Sequence, residues 1–234
     1  MYEDLINLNI NIEKEEVDKF KKFQDFFLKY NEKINLVSRK EVNLLFEKHI
    51  FDSLAINLFF DKYKIKNACK IMDIGTGGGF PSIPCALHYK NLNVVALDSI
   101  NKKINFIRTA KKEFSIDNIN PICCRVEDLP FKYKNSFDIV ITRAMAELRI
   151  ILEYAMPYIK IGGYFIAYKS VKADDEIINA QNALKTLNAK VIDKIEYILP
   201  IEGENKRVLL IIKKEKETPS IYPRKNGLVK KNPL

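Results

Sequence analysis

Histidine is scarce in this chain, with only His49 and His88 among 234 residues, which removes any metal centre built on several imidazoles. The four cysteines, Cys69, Cys85, Cys123 and Cys124, have no zinc-ligand spacing. Cys123 and Cys124 are adjacent in a strand-like run, so they point to opposite faces and read, with the others, as small core residues of a reducing compartment. No apolar run approaches the roughly 20 residues of a membrane span. The start, Met1-Tyr2-Glu3-Asp4, is acidic and lacks a signal peptide's charge pattern, so a cytoplasmic protein with no membrane or metal partner is expected. No internal repeat is found. What is present is ordinary for a soluble globular chain, 47% hydrophobic and 29% charged, and long enough for one good core plus a small appendage. A chain of this size can work as a monomer.

The net charge of +9 is unevenly spread. Lys213, Lys214, Lys216, Arg224, Lys225, Lys230 and Lys231 crowd the last stretch against only Glu215 and Glu217. Such an end suits a polyanionic partner, and a solvated lysine-rich tail fits it equally well.

Three regions follow from the patterning. Residues 1–66 read as a small N-terminal helical subdomain, with Val17, Phe20, Phe23, Phe27 and Tyr30 on one helical face. Residues 67–214 alternate strand and helix patterns, as a parallel sheet with crossover helices requires. Strands are predicted over 70–74, 94–98, 119–124, 137–142 and 164–168, and helices over about 81–90, 101–115, 147–158 and 173–187. Gly162-Gly163 reads as punctuation of a helix end before the fifth strand. Runs 191–199 and 207–213 flank a polar turn and predict an antiparallel hairpin. Residues 215–234, with Pro219, Pro223, Gly227 and Pro233 among lysines, read as an extended basic tail, ordered only if docked. The sum is an α/β, Rossmann-like class I plan: a seven-stranded, mostly parallel sheet ending in an antiparallel hairpin.

The most informative stretch is Ile71-Met72-Asp73-Ile74-Gly75-Thr76-Gly77-Gly78-Gly79-Phe80, an apolar strand that breaks into a glycine-rich turn opening a helix. Glycine lets backbone approach a ligand where a Cβ would block it. A phosphate loop would need Gly-Lys-Ser/Thr next, where this chain has Phe80-Pro81-Ser82. The dinucleotide fingerprint is more widely spaced, so the loop, with Gly75 and Gly77, suits S-adenosylmethionine (AdoMet) better than NAD. Asp98 ends the next apolar run, 23 residues after Gly75, where a doubly wound fold places the carboxylate for both ribose hydroxyls.

Ligands of such sheets lie beyond the carboxyl ends of the strands. Strand 3 leads into Arg125-Val126-Glu127-Asp128, whose acid can accept from an adenine amino group. Strand 4 leads into Thr142-Arg143-Ala144-Met145-Ala146-Glu147, and strand 5 into Lys169. The strand-4 exit lacks the Asp/Asn-Pro-Pro-Tyr of amino-methylating enzymes and the cysteine of cytosine-C5 enzymes. Guanine N7 needs neither, since it already carries a lone pair on the Hoogsteen edge. Catalysis is then mostly placement, worth on the order of 7–11 kcal/mol at best.

Several further segments extend the pattern: Asn35-Leu36 with Ser38, Lys48-His49-Ile50-Phe51-Asp52-Ser53-Leu54, Leu97-Asp98-Ser99 with Lys102-Lys103, Ala167-Tyr168-Lys169, and Tyr222-Pro223-Arg224-Lys225. With them, nearly end to end, the chain resembles the bacterial small-subunit rRNA guanine-N7 methyltransferases (the RsmG or GidB family). The resemblance implies AdoMet-dependent formation of 7-methylguanosine in the decoding-region loop of 16S rRNA, with the rRNA or the small ribosomal subunit as partner. By motif match it carries cofactor contacts onto Gly75, Phe80, Val126, Glu127 and Arg143. Arg143 is also a possible positioning residue, and no general base is required. RNA contacts would come from Lys169, Tyr222, Arg224 and Lys225, with Lys33, Arg39, Lys40, Lys102, Lys103 and Arg108 as further phosphate partners and Tyr222 as a stacking platform.

His49, Asp52 and Ser53 share a helical face, too close in sequence for a Ser-His-Asp triad, and a structural or RNA-facing role is expected. A methyltransferase acting on another RNA, an NAD-linked oxidoreductase, and a non-catalytic RNA-binding protein of the same fold stand as alternatives.

Overall fold

The computed structural model describes residues 2–65, 69–170, 173–203, 205–225 and 227–234. The strands are β1 (Lys70–Ile74), β2 (Asn93–Asp98), β3 (Ile119–Cys123), β4 (Phe137–Arg143), β5 (Ile159–Lys169), β6 (Ala189–Ile198) and β7 (Lys206–Lys214). They form one seven-stranded sheet in the order β3-β2-β1-β4-β5-β7-β6. β1 to β5 pair in parallel, while β7 runs antiparallel to β5 and β6. The C-terminal hairpin therefore turns back on itself, placing β7 against β5 and leaving β6 at the edge. The order reverses at β1, and a doubly wound sheet opens its ligand crevice at that reversal.

The central strands are apolar at nearly every position because both of their faces are covered. Alternate side chains divide between two cores. Ile71, Val94, Ala96, Ile139, Ile141, Ile166 and Ile211 pack on one face, and Met72, Val95, Leu97, Val140, Phe165, Leu210 and Ile212 on the other. The first face is covered by α1 (Lys14–Ile34), α2 (Asp52–Leu54), α3 (Ile56–Tyr63), α4 (Ser82–His88) and α5 (Asn101–Glu113). The second is covered by α6 (Leu148–Ala155) and α8 (Gln181–Thr186), with α7 (Ala173–Asn179) packed beside α6.

The aromatic stripe of α1 is core. Phe20, Phe23 and Phe27 are fully buried, and Phe27 meets Phe80 at 5.1 Å and Phe106 at 5.4 Å between ring centroids. The first 65 residues thus share a hydrophobic core with the sheet. The expected 66/67 boundary lies outside the described residues. α1 stops at Asn35, which adopts a left-handed φ of +48°. The carboxamide oxygen of Asn31 then accepts from the backbone N–H groups of Leu36 (2.7 Å) and Val37 (2.8 Å). That turn aims residues 35–41 at the crevice.

Three local expectations are corrected. Gly162-Gly163 lies inside β5, not at a helix end: a Cβ on Gly163 would sit 2.7 Å from the carbonyl oxygen of Asp138, so only glycine lets β5 lie this close to β4 where their register shifts. The helix predicted over 173–187 is two, interrupted at Ala180. Cys123 is exposed and Cys124 half-buried, because β3 is an edge strand with one flank uncovered. Among the described residues no helix is long and apolar enough to cross a membrane.

The segment after β7 is ordered by docking. Tyr222 is buried, Lys134 donates its ammonium to the carbonyl oxygens of Ser220 and Tyr222, and a short helix, α9 (Leu228–Lys231), buries Val229.

Candidate active site

Three adjoining cavities open along the carboxyl ends of β1, β2, β4 and β5, and the residues after β4 line all of them. The first, about 320 Å³, is bounded by Gly75, Asp98, Lys103, Val126, Glu127, Met145, Tyr154, Gly227 and Lys230 among others. The second, about 470 Å³, runs between the glycine loop and the 35–41 turn, with Phe80, His49 and Arg143 on its wall. The third, about 760 Å³, lies beyond β4 and β5 and is lined by Asp52, Thr142, Arg143, Met145, Tyr168, Lys169, Glu176 and Arg207. Ala144 borders all three with a left-handed φ of +52°. A non-glycine residue held there is uncommon and costs roughly 1–2 kcal/mol, so the bend between Arg143 and Met145 is imposed by its surroundings.

The glycine loop is held to β2. The N–H groups of Gly75 and Thr76 donate to the carbonyl oxygen of Leu97, at 2.8 and 3.0 Å. Asp98, buried at the end of β2, accepts from the Gly77 N–H (3.0 Å) and the Ile100 N–H (2.9 Å), with Lys103 at 3.8 Å. One lone pair on each carboxylate oxygen is left for a ligand hydroxyl. Gly75 has φ +75°, and a Cβ there would lie 2.7 Å from the sulfur of Met145, so a side chain would fill the cradle. Glu127, in the turn Val126–Asp128, lies across the first cavity with Arg125 at 3.9 Å. A carboxylate for a diol, a second acid for an amino group and an open glycine cradle fit AdoMet.

Beneath the loop, the Asp73 carboxylate accepts from the Ser82 hydroxyl (2.6 Å), which in turn accepts from Thr76 (2.9 Å). Its other oxygen is buried without a partner among the described residues. Burial pushes this acid up to about 7 against the pull of Ser82, Thr76 and Arg143.

Arg143 is the hub. Its guanidinium donates to the carbonyl oxygen of Lys48 (2.6 Å), the carboxylate of Asp52 (3.0 Å) and Nδ1 of His49 (2.7 Å), and lies 5.6 Å from the Phe80 ring centroid. Asp52 also accepts from the Tyr197 hydroxyl of β6. Because arginine has no acceptor, His49 Nδ1 must be the unprotonated nitrogen and Nε2 carries the hydrogen. Burial, then the charges of Arg143 and Lys48, push His49 down to about 3, so it is neutral at working pH. Its Nε2 is buried without a partner among the described residues. Ser53 donates back to the carbonyl oxygen of His49, a helix-internal bond. The three residues therefore form no triad: His49 and Asp52 hold Arg143.

These two groups tilt the pH dependence in opposite senses. Asp73 titrates at about 7 in the fold and near its ordinary 3.8 unfolded, so across that interval the folded chain holds the extra proton and stability falls as pH rises. For His49, about 3 folded and 6.5 unfolded, the unfolded chain holds the extra proton and stability rises with pH. Asp73→Asn removes only the first slope. Its melting temperature should climb with pH between 4 and 6.5 more steeply than that of the wild type, and equal slopes in thermal melts would refute the raised Asp73 acid.

The structure gathers Gly75, Gly77, Phe80, Asp98, Val126, Glu127 and Arg143 around the first two cavities. Lys169 reaches the third, where its ammonium donates to Glu176 (2.6 Å) and the carbonyl oxygen of Ala146 (3.0 Å). Arg39, Lys40, Lys102, Arg108, Lys33 and Lys225 are exposed, and Lys103 is half-buried at the crevice. Tyr222 and Arg224 depart from their expected RNA role. The Tyr222 ring is buried, and Arg224 forms a forked pair with the fully buried Glu153 (2.9 and 2.6 Å). Tyr154, Arg207 and Lys230 are site-lining residues that sequence reasoning missed. Met145 lines the site from within the strand-4 exit already singled out.

Comparison with known proteins gives the family and the fold. The model of the rRNA small subunit methyltransferase G family matches residues 16–209. The ribosomal RNA small subunit methyltransferase G of Lysinibacillus sphaericus is 36% identical over 234 residues, covering 99% of this chain and 97% of that protein. Its counterpart in Lachnoclostridium phytofermentans is 38% identical, covering 98% and 94%. Among solved structures, the 16S rRNA (adenine(1408)-N(1))-methyltransferase of Catenulisporales acidiphilia shares the fold, with a TM-score of 0.53 at 14% identity over 67% of this chain and 91% of that one.

Proposed function

Because this chain belongs to the ribosomal RNA small subunit methyltransferase G family, we propose that it methylates N7 of a guanine in the decoding-region loop of 16S rRNA, using AdoMet. The observation that carries this reading is the junction after β4, where Arg143, Ala144 and Met145 separate a cofactor-sized crevice from a cavity of about 760 Å³ that can take a flipped base. AdoMet supplies an electrophilic methyl group on a sulfonium. Asp98 would accept from the ribose hydroxyls and Glu127 from the adenine amino group, and Gly75 and Gly77 would let the backbone approach. Phe80 and Val126 give apolar cover that keeps water out.

Arg143 is neutralised by Asp52, so its charge does not oppose the sulfonium. Instead it fixes the loop between the two ligands. The carboxylates lining the third cavity are engaged: Asp52 by Arg143 and Tyr197, Glu176 by Lys169 and the Leu148 N–H, Glu147 by Arg149, and Glu41 by Ser38. His49 has already committed its acceptor nitrogen to Arg143. N7 has no proton to lose, so the reaction needs none of these groups as a base. Arg39, Lys40, Lys102, Lys103, Arg108 and Lys225 would meet RNA phosphates, and Lys169 and Arg207 the target loop, with affinity falling as salt rises. The chain would work as a monomer in the cytoplasm.

The test is transfer of labelled methyl from AdoMet to small subunits from cells lacking this enzyme, with the product mapped by cleavage at 7-methylguanosine. One labelled guanine in the decoding-region loop is expected. Label elsewhere would overturn the target, and none anywhere would overturn the activity.

A further inference from the structure

The docked C-terminal segment reaches the cofactor crevice, a place its composition does not announce. Glu153 is fully buried on α6 among apolar neighbours. One of its carboxylate oxygens accepts from the backbone N–H and the Nε–H of Arg224, both at 2.9 Å, and the other from the guanidinium Nη2 at 2.6 Å. The same Nη2 donates to the carbonyl oxygen of Asn232 at 2.9 Å. Arg224 thus bridges Asn232 and α6. Val229, between the two in sequence, is fully buried in the core shared with α6. What the segment then presents is Gly227 and Lys230, on the wall of the first cavity, which Asp98 and Glu127 also line. Tyr154, the neighbour of Glu153 on α6, lines the same cavity, so one helix carries both the anchor and a wall.

We propose that residues 227–232, anchored by Arg224, close the adenosine side of the cofactor crevice, with Lys230 as a cofactor-binding residue and Arg224–Glu153 as the pair that positions it. This rests on the AdoMet reading above and changes the role of the tail from RNA clamp to cofactor wall. The chemistry is complementary. Adenosine offers hydroxyl and amino donors, which Asp98 and Glu127 accept, and it offers ring-nitrogen and ribose-oxygen acceptors, for which a lysine ammonium is a donor. The anchor suits the task, because a buried carboxylate held by a forked guanidinium and a backbone N–H has one geometry, whereas a solvated lysine tail has many.

The test is the affinity of the full chain for AdoMet and S-adenosylhomocysteine by calorimetry, without RNA, alongside the melting temperature and the affinity for a 16S rRNA fragment. Lys230 is exposed, so Lys230→Ala should melt like the wild type and bind both cofactors about 5-fold more weakly. Lys216→Ala, an equal loss of charge in the same tail, should leave both affinities unchanged. Arg224→Lys, which keeps the charge and loses the fork, should weaken cofactor binding at temperatures where the chain is still folded. If Lys230→Ala binds both cofactors as the wild type does, or loses only RNA affinity, the wall assignment is overturned while the methyltransferase reading stands. A wild-type chain that binds neither cofactor would overturn both.

Discussion

Replacing Arg143 with alanine is expected to reduce methyl transfer by on the order of 100-fold or more and to lower the melting temperature at the same time. The reason lies in what the guanidinium leaves behind. Asp52 has a side chain only 7% exposed, and Arg143 is its cationic partner. Removing one member of a buried pair strands the other charge, a loss of about 3–5 kcal/mol. The Lys48 carbonyl oxygen and His49 Nδ1 lose their donor in the same step, and the loop through Ala144 and Met145 loses the tether that holds it between the two ligands. Two further variants separate stability from positioning. Arg143→Ala with Asp52→Asn removes the stranded charge, so the melting temperature should recover in part while activity stays low. Arg143→Lys keeps the charge but cannot serve three acceptors in a plane, and it should also be strongly impaired. Full activity in Arg143→Ala would remove the residue from the site.

Asp98→Ala carries the second large effect: AdoMet and S-adenosylhomocysteine should bind about 100-fold more weakly. Hydrogen bonds to an ionised group contribute about 1.5–3 kcal/mol each, and Asp98 is placed to accept two from the ribose. It also holds the Gly77 N–H and the Ile100 N–H, so its loss frees the glycine loop as well as removing a contact. Asp98→Asn keeps one acceptor oxygen and should fall between alanine and wild type. Calorimetric titration reads the effect directly, without RNA. Equal dissociation constants for wild type and Asp98→Ala would show that the ribose lies elsewhere and would reopen the reading of the first cavity.

The docking site of the tail was not legible in its composition, for a physical reason. Proline, lysine and glycine describe a segment with little to bury, and such composition argues for solvated chain. It is a local property, blind to a partner 71 residues away. The overlooked signal was in α6, where Glu153 stands within Ile151-Leu152-Glu153-Tyr154-Ala155. A carboxylate inside an apolar stripe has to find a cation or stay protonated. Asking which cation could reach it would have led to the Tyr-Pro-Arg-Lys segment. Cys123 was misjudged for a related reason: β-propensity marks a strand but says nothing about whether that strand is at the edge.

What the sequence determined by itself is everything carried by short-range order. Alternating strand and helix patterns require a parallel sheet, right-handed crossovers put every strand's carboxyl end at one edge, and the Gly75–Gly79 turn and Asp98 then fall together at the reversal of strand order. No tertiary information was needed, because period and spacing are properties of the chain and the topology follows from them. The tertiary structure alone decided how Arg143 is neutralised, through residues more than 90 positions earlier, and how Asp52 is shared with Tyr197 on the last hairpin. It also decided that Ala144 bends into the left-handed region and that Gly227 and Lys230 of the basic tail line the first cavity. These are contacts between side chains far apart in sequence, each made by a single buried polar group seeking a partner, and such a pairing leaves no period in the chain from which it could be read.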